Sequence, residues 1–253
     1  MIHIKSMKEI EVMKKAGAIT AYAHKVARQM IRPGISTSEL DLAIQQAIVQ
    51  HGATPSFLDY RGYPASSCIS LNDTIIHGIP SKNEILQEGD IVSIDIGACF
   101  DGYHGDAART YGVGQIDPQH QKLIDVTRQS FFEGLAHVRE GHRLGDVSQT
   151  IQRYVEQNQM SVVRMFTGHG IGKELHEDPA VPNYGTAGRG PKLEPNMVLA
   201  IEPMVNLGSH HVKVLDDEWT VKTTDGSLSA HYEHTVWISP DGPVLLTAGD
   251  EDE

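Results

Sequence analysis

The segment IVSIDIG, residues 91–97, places one carboxylate, Asp95, inside an otherwise apolar run. A second segment, VLAIEPMV, residues 198–205, carries Glu202 in the same way. Such runs are typical of buried strands, where an ionised carboxylate without a partner costs several kcal/mol. The two acids are 107 positions apart (202 − 95), which indicates that a longer part of the chain is duplicated.

The offset of 107 also relates helical and strand patterns elsewhere in the chain. The matching pairs are Gly34 and Gly141, Glu39 and Asp146, Leu40 and Val147, Ile44 and Ile151, Ile91 and Val198, and Ile94 and Ile201. With a different offset, HGD at residues 104–106 resembles HYE at residues 231–233, which aligns Asp106 with Glu233. An internal duplication with a pseudo-twofold axis would bring the two pairs of acids to one centre.

Capping and turn signals predict a pair of helices before the strands of each half. The helices begin at Ser6, at Ser36, at Asp117-Pro118 and at about Asp146, and the first two end near Pro33 and His51. The predicted strands cover residues 91–96, 103–112, 197–205, 218–221 and 231–238. The pattern favours an α/β protein forming one domain, with halves of about 1–115 and 116–248.

Composition limits the classes of function. The chain has 21 Lys+Arg against 33 Asp+Glu, a net charge of −12, so general attraction to nucleic acid or anionic lipid is not expected. Cys68 and Cys99 are the only cysteines, too few for a disulfide framework. No run approaches the roughly 18 apolar residues of a membrane span. The sequence predicts a cytoplasmic monomer with an acidic, solvated tail at residues 249–253.

The four clustered acids predict a metal site. Asp106 follows Asp95 past the turn-like FDGYHG, so a hairpin can point both carboxylates to one side. For any single acid, a pairing with Arg109 or a lysine explains it as well. Four carboxylates together repel one another unless a cation neutralises them, and oxygen-rich sites suit Mn, Fe or Co. Such a set can bridge two metals about 3.5–4 Å apart that activate water for hydrolysis.

The stretch FTGHGIGKELHEDP, residues 166–179, has three interpretations. As a phosphate loop it has the wrong spacing, since the glycines give GxGxG and not GxGxxG. As a plain glycine turn it would carry surface histidines. In the third interpretation the glycines let the backbone pass close to the metals, with His169 as a ligand and His176 as a donor to the reacting carbonyl.

The functional residues occur in an order that resembles the methionine aminopeptidase family. The order is His77, Asp95, Asp106, His169, His176, Glu202 and Glu233. NDTIIHGIP, DGYHGDAART, TGHGIGKELHEDP, IEP and YEHT each match a block of that family. The resemblance implies the duplicated pita-bread fold, with helices covering a curved, mostly antiparallel sheet, and removal of the initiator methionine from nascent polypeptides with two divalent metals (Co, Mn, Fe or Zn).

The resemblance also implies a role for each matching residue. The metal ligands would be Asp95, Asp106, His169, Glu202 and Glu233, with Asp106 and Glu233 bridging. A metal-bridging water or hydroxide would attack the peptide bond. Glu202 would carry the proton to the leaving amine, His176 would stabilise the oxyanion, and His77 would hold the peptide.

The matching pocket positions are Tyr60, Tyr63, Cys68 and Trp219, although ordinary core packing explains such residues equally well. Leu175 stands where bacterial members usually carry phenylalanine, which leaves less aromatic wall for selecting methionine.

Lengths favour a short, bacterial type I enzyme, because only 26 positions separate His176 from Glu202 (202 − 176). Family members meet nascent chains at the ribosome, but the segment 207–222 mixes Lys213 and Lys222 with three acids, which does not favour docking through it. Two alternatives remain open from the residues. One is an X-Pro aminopeptidase or prolidase of the same fold, and the other is a non-catalytic peptide-binding protein of that fold.

Overall fold

The computed structural model describes residues 1–250, which contain four long helices and fifteen short strands. The helices are α1 (Met7–Met30), α2 (Thr37–Gln50), α3 (Pro118–Leu135) and α4 (Leu144–Gln157). The strands are β1 (Thr54–Pro55), β2 (Ser67–Leu71), β3 (Thr74–Ile76), β4 (Ile91–Phe100), β5 (Tyr103–Gly112), β6 (Ser161–Val162), β7 (Gly168–Gly170), β8 (Glu177–Val181), β9 (Val198–Ile201), β10 (Met204–Asn206), β11 (Val212–Val214), β12 (Val221–Thr223), β13 (Ser229–His231), β14 (His234–Ser239) and β15 (Gly242–Leu245).

The helix starts follow the capping signals in the sequence. At α1 the Glu9 carboxylate accepts from the Ser6 amide at 2.7 Å while the Ser6 hydroxyl accepts from the Glu9 amide at 3.4 Å, a complete capping box. The start predicted near Asp146 for α4 is wrong by two residues. The Asp146 carboxylate reaches back to the Arg143 amide at 2.7 Å, so Asp146 is the third residue of the helix.

All strand pairings in the described chain are antiparallel, in four sheets. In the first half, β4 pairs with β1, β2 and β5, and in the second half the order is β15-β14-β9-β7-β8. Two three-stranded sheets, β13-β10-β6 and β11-β12-β3, complete the structure. The predicted mixed α/β architecture is confirmed.

Two predicted strands are interrupted and one is displaced. The run 197–205 forms β9 and β10 with a break at Glu202-Pro203, because proline has no amide hydrogen for the ladder. The run 231–238 breaks opposite that point, between β13 and β14. The strand predicted at 218–221 begins only at Val221, since residues before it form a turn in which Asp217 accepts from the Trp219 and Thr220 amides.

Strand register shows the internal duplication directly. The pair Thr54↔Cys99 in the first half has its counterpart in Ser161↔Asn206, with both partners shifted by 107. The isolated bridges Ser36↔Ile85 and Arg143↔Lys192 repeat with the same shift. Helices α2 and α4, each of 14 residues, also begin 107 positions apart. The duplication predicted from the sequence is therefore present in the backbone.

The return strands are β5, which pairs with β4, and β13 and β14, which pair with β10 and β9. Their alignment differs from the prediction. Asp106 lies opposite Gly97, and the residue opposite Met204, which is equivalent to Gly97, is His231. The return strands are thus shifted by 125, and the alignment of Asp106 with Glu233 is wrong. The predicted alignment followed the chemical similarity of HGD to HYE. The strand register that contradicts it cannot be read from the sequence. Asp106 has His231 as its counterpart, and Glu233 has Ala108.

Helices and sheets enclose two large apolar clusters, one in each half. Ile44, Ile48 and Ile94 belong to the first, and Phe131, Ile151 and Leu199 to the second. A third cluster, which includes Tyr63, Ile171 and Leu175, lies between them. The halves therefore meet at a packed centre rather than through a linker.

Two predictions concern the ends and the environment of the chain. Each helix within residues 1–250 is too short or too polar to span a lipid bilayer. Of the tail predicted to be solvated, residues 251–253 lie outside the described residues. Asp250 is exposed but accepts a hydrogen bond from Lys25 Nζ at 2.6 Å.

Candidate metal and peptide site

One cavity of about 170 Å³ lies between the two halves. All eleven predicted site residues line it: Tyr60, Tyr63, Cys68, His77, Asp95, Asp106, His169, His176, Glu202, Trp219 and Glu233. Phe57, Arg61 and Leu175 complete the lining. Residues spread over 174 positions of sequence thus converge on one space.

The hairpin β4-β5 supplies the first two acids. Asp95 lies opposite Ala108 and Asp106 opposite Gly97, so both side chains project from the same face of the hairpin. The second half holds Asp106 in place, because its amide donates to Thr235 Oγ1 at 2.9 Å and its carbonyl accepts from that hydroxyl at 2.8 Å. The predicted placement of both acids on neighbouring strands is confirmed.

Glu202 lies at the break between β9 and β10, and Glu233 lies at the facing break between β13 and β14. The Glu202 carbonyl accepts from Asn183 Nδ2 at 2.9 Å, and the Glu233 amide donates to the Ala108 carbonyl at 2.9 Å. Arg109, the alternative partner for these acids, donates to the Glu233 carbonyl at 2.5 Å. The guanidinium therefore supports the backbone beneath Glu233.

His169 lies in β7, flanked by Gly168 and Gly170. Its Nδ1 lies 2.9 Å from the Gly170 carbonyl, which leaves Nε2 facing the acids, 3.6 Å from Glu202 Oε1 and 4.0 Å from Asp106 Oδ2. The glycines at these two positions let neighbouring strands approach closely. A Cβ at Gly168 would lie 2.3 Å from the Ala200 carbonyl oxygen, and one at Gly170 would lie 2.1 Å from that of Asp178. A side chain at either position would therefore clash with a neighbouring strand.

The buried acids have raised pKa values. Burial, opposed by His231 and reinforced by Glu202, raises the pKa of Asp95 to about 7, and burial raises that of Glu202 to about 7. Burial and the neighbouring carboxylates hold the pKa of Asp106 and of Glu233 well above the usual range. Desolvation lowers the pKa of His169 to about 4, so its imidazole is neutral and able to act as a ligand at pH 7.

This group of residues fits a divalent cation. Ligand atoms of Asp106, His169 and Glu233 all lie within 4.8 Å of one another. Within residues 1–250, Asp95 Oδ1, Asp106 Oδ1 and Glu233 Oε1 are buried oxygens without a hydrogen-bond partner. Buried carboxylate oxygens in this state are stabilised by coordination, and an oxygen-rich set with one imidazole suits Mn, Fe or Co.

The inner end of the cavity is apolar and enclosed. The Tyr63 hydroxyl is fixed by the carbonyls of Gly78, at 2.9 Å, and Ser67, at 3.1 Å. Trp219 packs edge-on against Tyr63 with ring centroids 5.1 Å apart. Cys68 and Leu175 are both buried, and desolvation raises the pKa of the Cys68 thiol, so it lines the wall as a neutral group.

The mouth of the cavity is formed by Tyr60, His77 and His176. The Tyr60 hydroxyl lies 2.8 Å from His176 Nδ1, and the two rings stack with centroids 5.3 Å apart. The loop carrying Tyr60 is strained, with Asp59 at φ 63° and Arg61 at φ 51°. His77 also has a left-handed backbone, φ 59°, and its ring packs edge-on against Trp219 at 6.0 Å. Strained residues of this kind cluster at functional sites.

Sequence reasoning missed His231 as a residue of this site. Its side chain is 2% exposed, and its Nε2 lies 3.5 Å from Glu202 Oε2. Desolvation lowers the pKa of His231 to about 4. The available signal was the histidine in AHYEHT, but the alignment of HYE with HGD paired this histidine with His104 and not with Asp106.

Comparison with known proteins agrees with this geometry. The model of metallopeptidase family M24 matches residues 11–240. Methionine aminopeptidase of Clostridium perfringens is 56% identical over 98% of this chain and 99% of its own length. The chain belongs to the methionine aminopeptidases of family M24. Methionine aminopeptidase 1 of Bacillus subtilis is 50% identical, with the same coverage of both chains.

Solved structures of methionine aminopeptidases share the whole fold. The enzyme from Thermotoga maritima superposes with a TM-score of 0.96 at 45% identity, covering 98% of this chain and 99% of that one. A prolidase from Pyrococcus horikoshii has a TM-score of 0.79 at 23% identity, and this chain covers 64% of it, so that likeness shows the fold alone. The predicted family and its pita-bread fold are confirmed. Membership of a metallopeptidase family implies binding of divalent metal.

Proposed function

We propose that this protein is a metal-dependent aminopeptidase that removes methionine from the N-termini of nascent proteins and peptides. The observation that carries the proposal is the composition of the cavity, which joins a cluster of carboxylates and one imidazole to an enclosed apolar end. An N-terminal residue fits such a space when its side chain fills the apolar end and its amine and carbonyl lie at the polar end. The relatives named above carry the same activity in their names.

We propose that Asp95, Asp106, His169, Glu202 and Glu233 would hold two divalent cations. When bound, such cations supply a nucleophile made from water at neutral pH and neutralise charge at the carbonyl. Glu202, whose carboxylate lies among the other proposed ligands, is proposed to accept a proton and return it to the leaving amine.

His176 is proposed to donate a hydrogen bond to the developing oxyanion. Desolvation, reinforced by Arg61, lowers its pKa to about 4, so the ring is neutral at pH 7. When the Tyr60 hydroxyl donates to Nδ1, the ring carries its proton on Nε2, where it can donate. His77, packed beside Trp219, is proposed to hold the peptide near the scissile bond.

Selection of methionine is assigned to Tyr60, Tyr63, Cys68 and Trp219. A closed apolar pocket selects an unbranched side chain by shape and rejects charged ones by desolvation. Leu175, buried in the same wall, takes part in this packing. Because both halves supply residues to one cavity, we propose a single catalytic domain that acts as a monomer.

The test measures amino-acid release by metal-stripped protein before and after adding Mn²⁺ or Co²⁺. Met-Ala-Ser and Ala-Pro-Ala peptides are assayed in parallel. Methionine released only with metal supports the proposal. Cleavage before proline would assign the X-Pro activity instead, and no release from either peptide would favour a peptide-binding protein.

Replacing Asp106 by Asn tests the metal roles. We expect methionine release to fall by more than about 100-fold, because even residues that only support metal ligands commonly cost 10–100-fold. Circular dichroism should show an unchanged fold, since the backbone clamp from Thr235 remains. Asp125→Asn, an exposed acid on α3, is the matched control and should retain full activity. An undiminished rate in the Asp106 variant would contradict the mechanism.

A further inference from the structure

His231 is a titratable side chain beside the carboxylate cluster to which the proposed function gives no role. The strand register explains why its side chain reaches the cluster. His231 pairs with Met204 as Asp106 pairs with Gly97, and the two pairs are equivalent under the duplication. Because the side chain of Asp106 points into the cavity, its counterpart in the second half points toward the same centre.

The backbone of His231 is held rigidly by the first half of the chain. Its amide donates to Thr110 Oγ1 at 2.9 Å, and its carbonyl accepts from the same hydroxyl at 2.9 Å. Thr110 in turn contacts Ser93 Oγ at 2.8 Å, within the β4-β5 hairpin that carries Asp95 and Asp106. The position of the imidazole is therefore tied to that of the acids.

The Glu202 carboxylate lies between two imidazoles. Oε1 is 3.6 Å from His169 Nε2, and Oε2 is 3.5 Å from His231 Nε2. Nε2 of His231 is buried and makes no regular hydrogen bond within residues 1–250. When Nε2 carries the ring proton, this buried donor gains most by turning toward an acceptor within reach, here Glu202 Oε2.

We propose that His231 is a positioning residue for Glu202, with its Nε2–H donating to Oε2. This hydrogen bond fixes the plane of the carboxylate and keeps Oε1 directed toward His169. Without it, the carboxylate can rotate about its last bond and lose its alignment with the other ligands. The inference rests on the proposed metal-binding function and assigns a new residue to that site.

Three substitutions separate donation from simple packing. His231→Gln places an amide NH₂ close to the position of Nε2, His231→Asn carries the same group too short to reach, and His231→Leu removes the donor. The readout is Mn²⁺ affinity of the metal-stripped protein by titration calorimetry, with kcat and KM measured separately. Residues that orient metal ligands commonly contribute 10–100-fold in metal affinity.

We expect His231→Leu and His231→Asn to bind Mn²⁺ about 10–100-fold more weakly, and His231→Gln to stay within a few-fold of the native protein. Equal affinity in the Gln and Asn variants would overturn the proposal, even if the Leu variant fails to fold. Failure of Gln to restore binding would also overturn it, since the imidazole itself would then be required. Mn²⁺ binding that depends on His231 in a protein that releases no methionine would support this inference while contradicting the proposed function.

Discussion

Many side chains of the site could be predicted from single positions in the sequence. An acid in an apolar strand or a histidine beside glycines is visible in the sequence, because burial of an ionisable group is costly and calls for a reason. All eleven side chains predicted on this basis, or by resemblance, line one cavity. The left-handed conformations of Asp59 and Arg61 were not predictable, since they arise from packing of the Tyr60 loop.

The Tyr60 hydroxyl gives a prediction for a single hydrogen bond. Tyr60→Phe removes the contact with His176 Nδ1 and the preference for a proton on Nε2. We expect kcat for methionine release to fall by about 2–10-fold, the value of a net hydrogen bond of about 0.5–1.5 kcal/mol. KM should change less, because the apolar wall keeps its ring.

Tyr184→Phe serves as the control for that substitution. Tyr184 is partly exposed, and its ring packs under Arg164 away from the cavity, so its hydroxyl should be dispensable for turnover. If Tyr60→Phe and Tyr184→Phe have the same kcat, the proposed role of the Tyr60 hydroxyl is wrong.

At the level of elements, helices were easier to predict than strands. Helix starts carry local capping signals, such as Ser6 with Glu9, and the structure reproduces them. Strand breaks depend on partners that are distant in sequence. The strand break at Pro203 could be predicted from the sequence. The facing break near Glu233, between β13 and β14, follows only from the pairing of β14 with β9.

Strand β7 gives a prediction about backbone packing. Gly170→Ala would place a Cβ 2.1 Å from the Asp178 carbonyl oxygen, so β7 and β8 must separate. We expect a loss of about 1–3 kcal/mol in the free energy of unfolding, as for overpacked cores. Methionine release should fall as well, because His169 precedes the altered residue.

Denaturant titration checks this prediction, with Gly249→Ala as the control. A Cβ at Gly249 would have its nearest neighbour 3.8 Å away, an ordinary contact. The control should match the native protein in unfolding midpoint. A Gly170→Ala protein as stable as the control would show that the strands adjust without cost.

For the whole molecule, the offset of 107 could be detected in the sequence because the apolar patterns of helices and strands repeat in both halves. The offset of 125 for the return strands was not readable, because an insertion between β10 and β13 hides it. As a result, Glu233 was placed in the correct cavity from the wrong alignment, and His231 was missed.

Metal removal should affect the stability of the whole molecule, because both halves contribute carboxylates to the centre. A cation present at 100 times its Kd adds about 2.7 kcal/mol to the free energy of unfolding. For a chain of this length that corresponds to a Tm decrease of about 5–11 °C on chelation. Differential scanning calorimetry with and without EDTA measures the change.

The chelation effect should grow between pH 6 and pH 8. Asp95 and Glu202 have pKa values of about 7 in the metal-free fold, above their unfolded values, so their contribution to stability is lost as pH rises through 7. Bound cations replace those protons and remove the penalty, and binding should release protons into the buffer. A Tm difference that shrinks from pH 6 to pH 8 would contradict these assignments.

The repeated register also bears on how such a centre arises. Two copies of a half-length chain, related by a twofold axis, would form an isologous dimer in which each surface meets its own copy. In that dimer any substitution appears twice, so an aspartate at one copy's position 106 requires an aspartate at the other. Fusion into one gene removes this constraint. Asp106 and His231 occupy equivalent positions but differ in chemistry, a combination that only the fused chain permits.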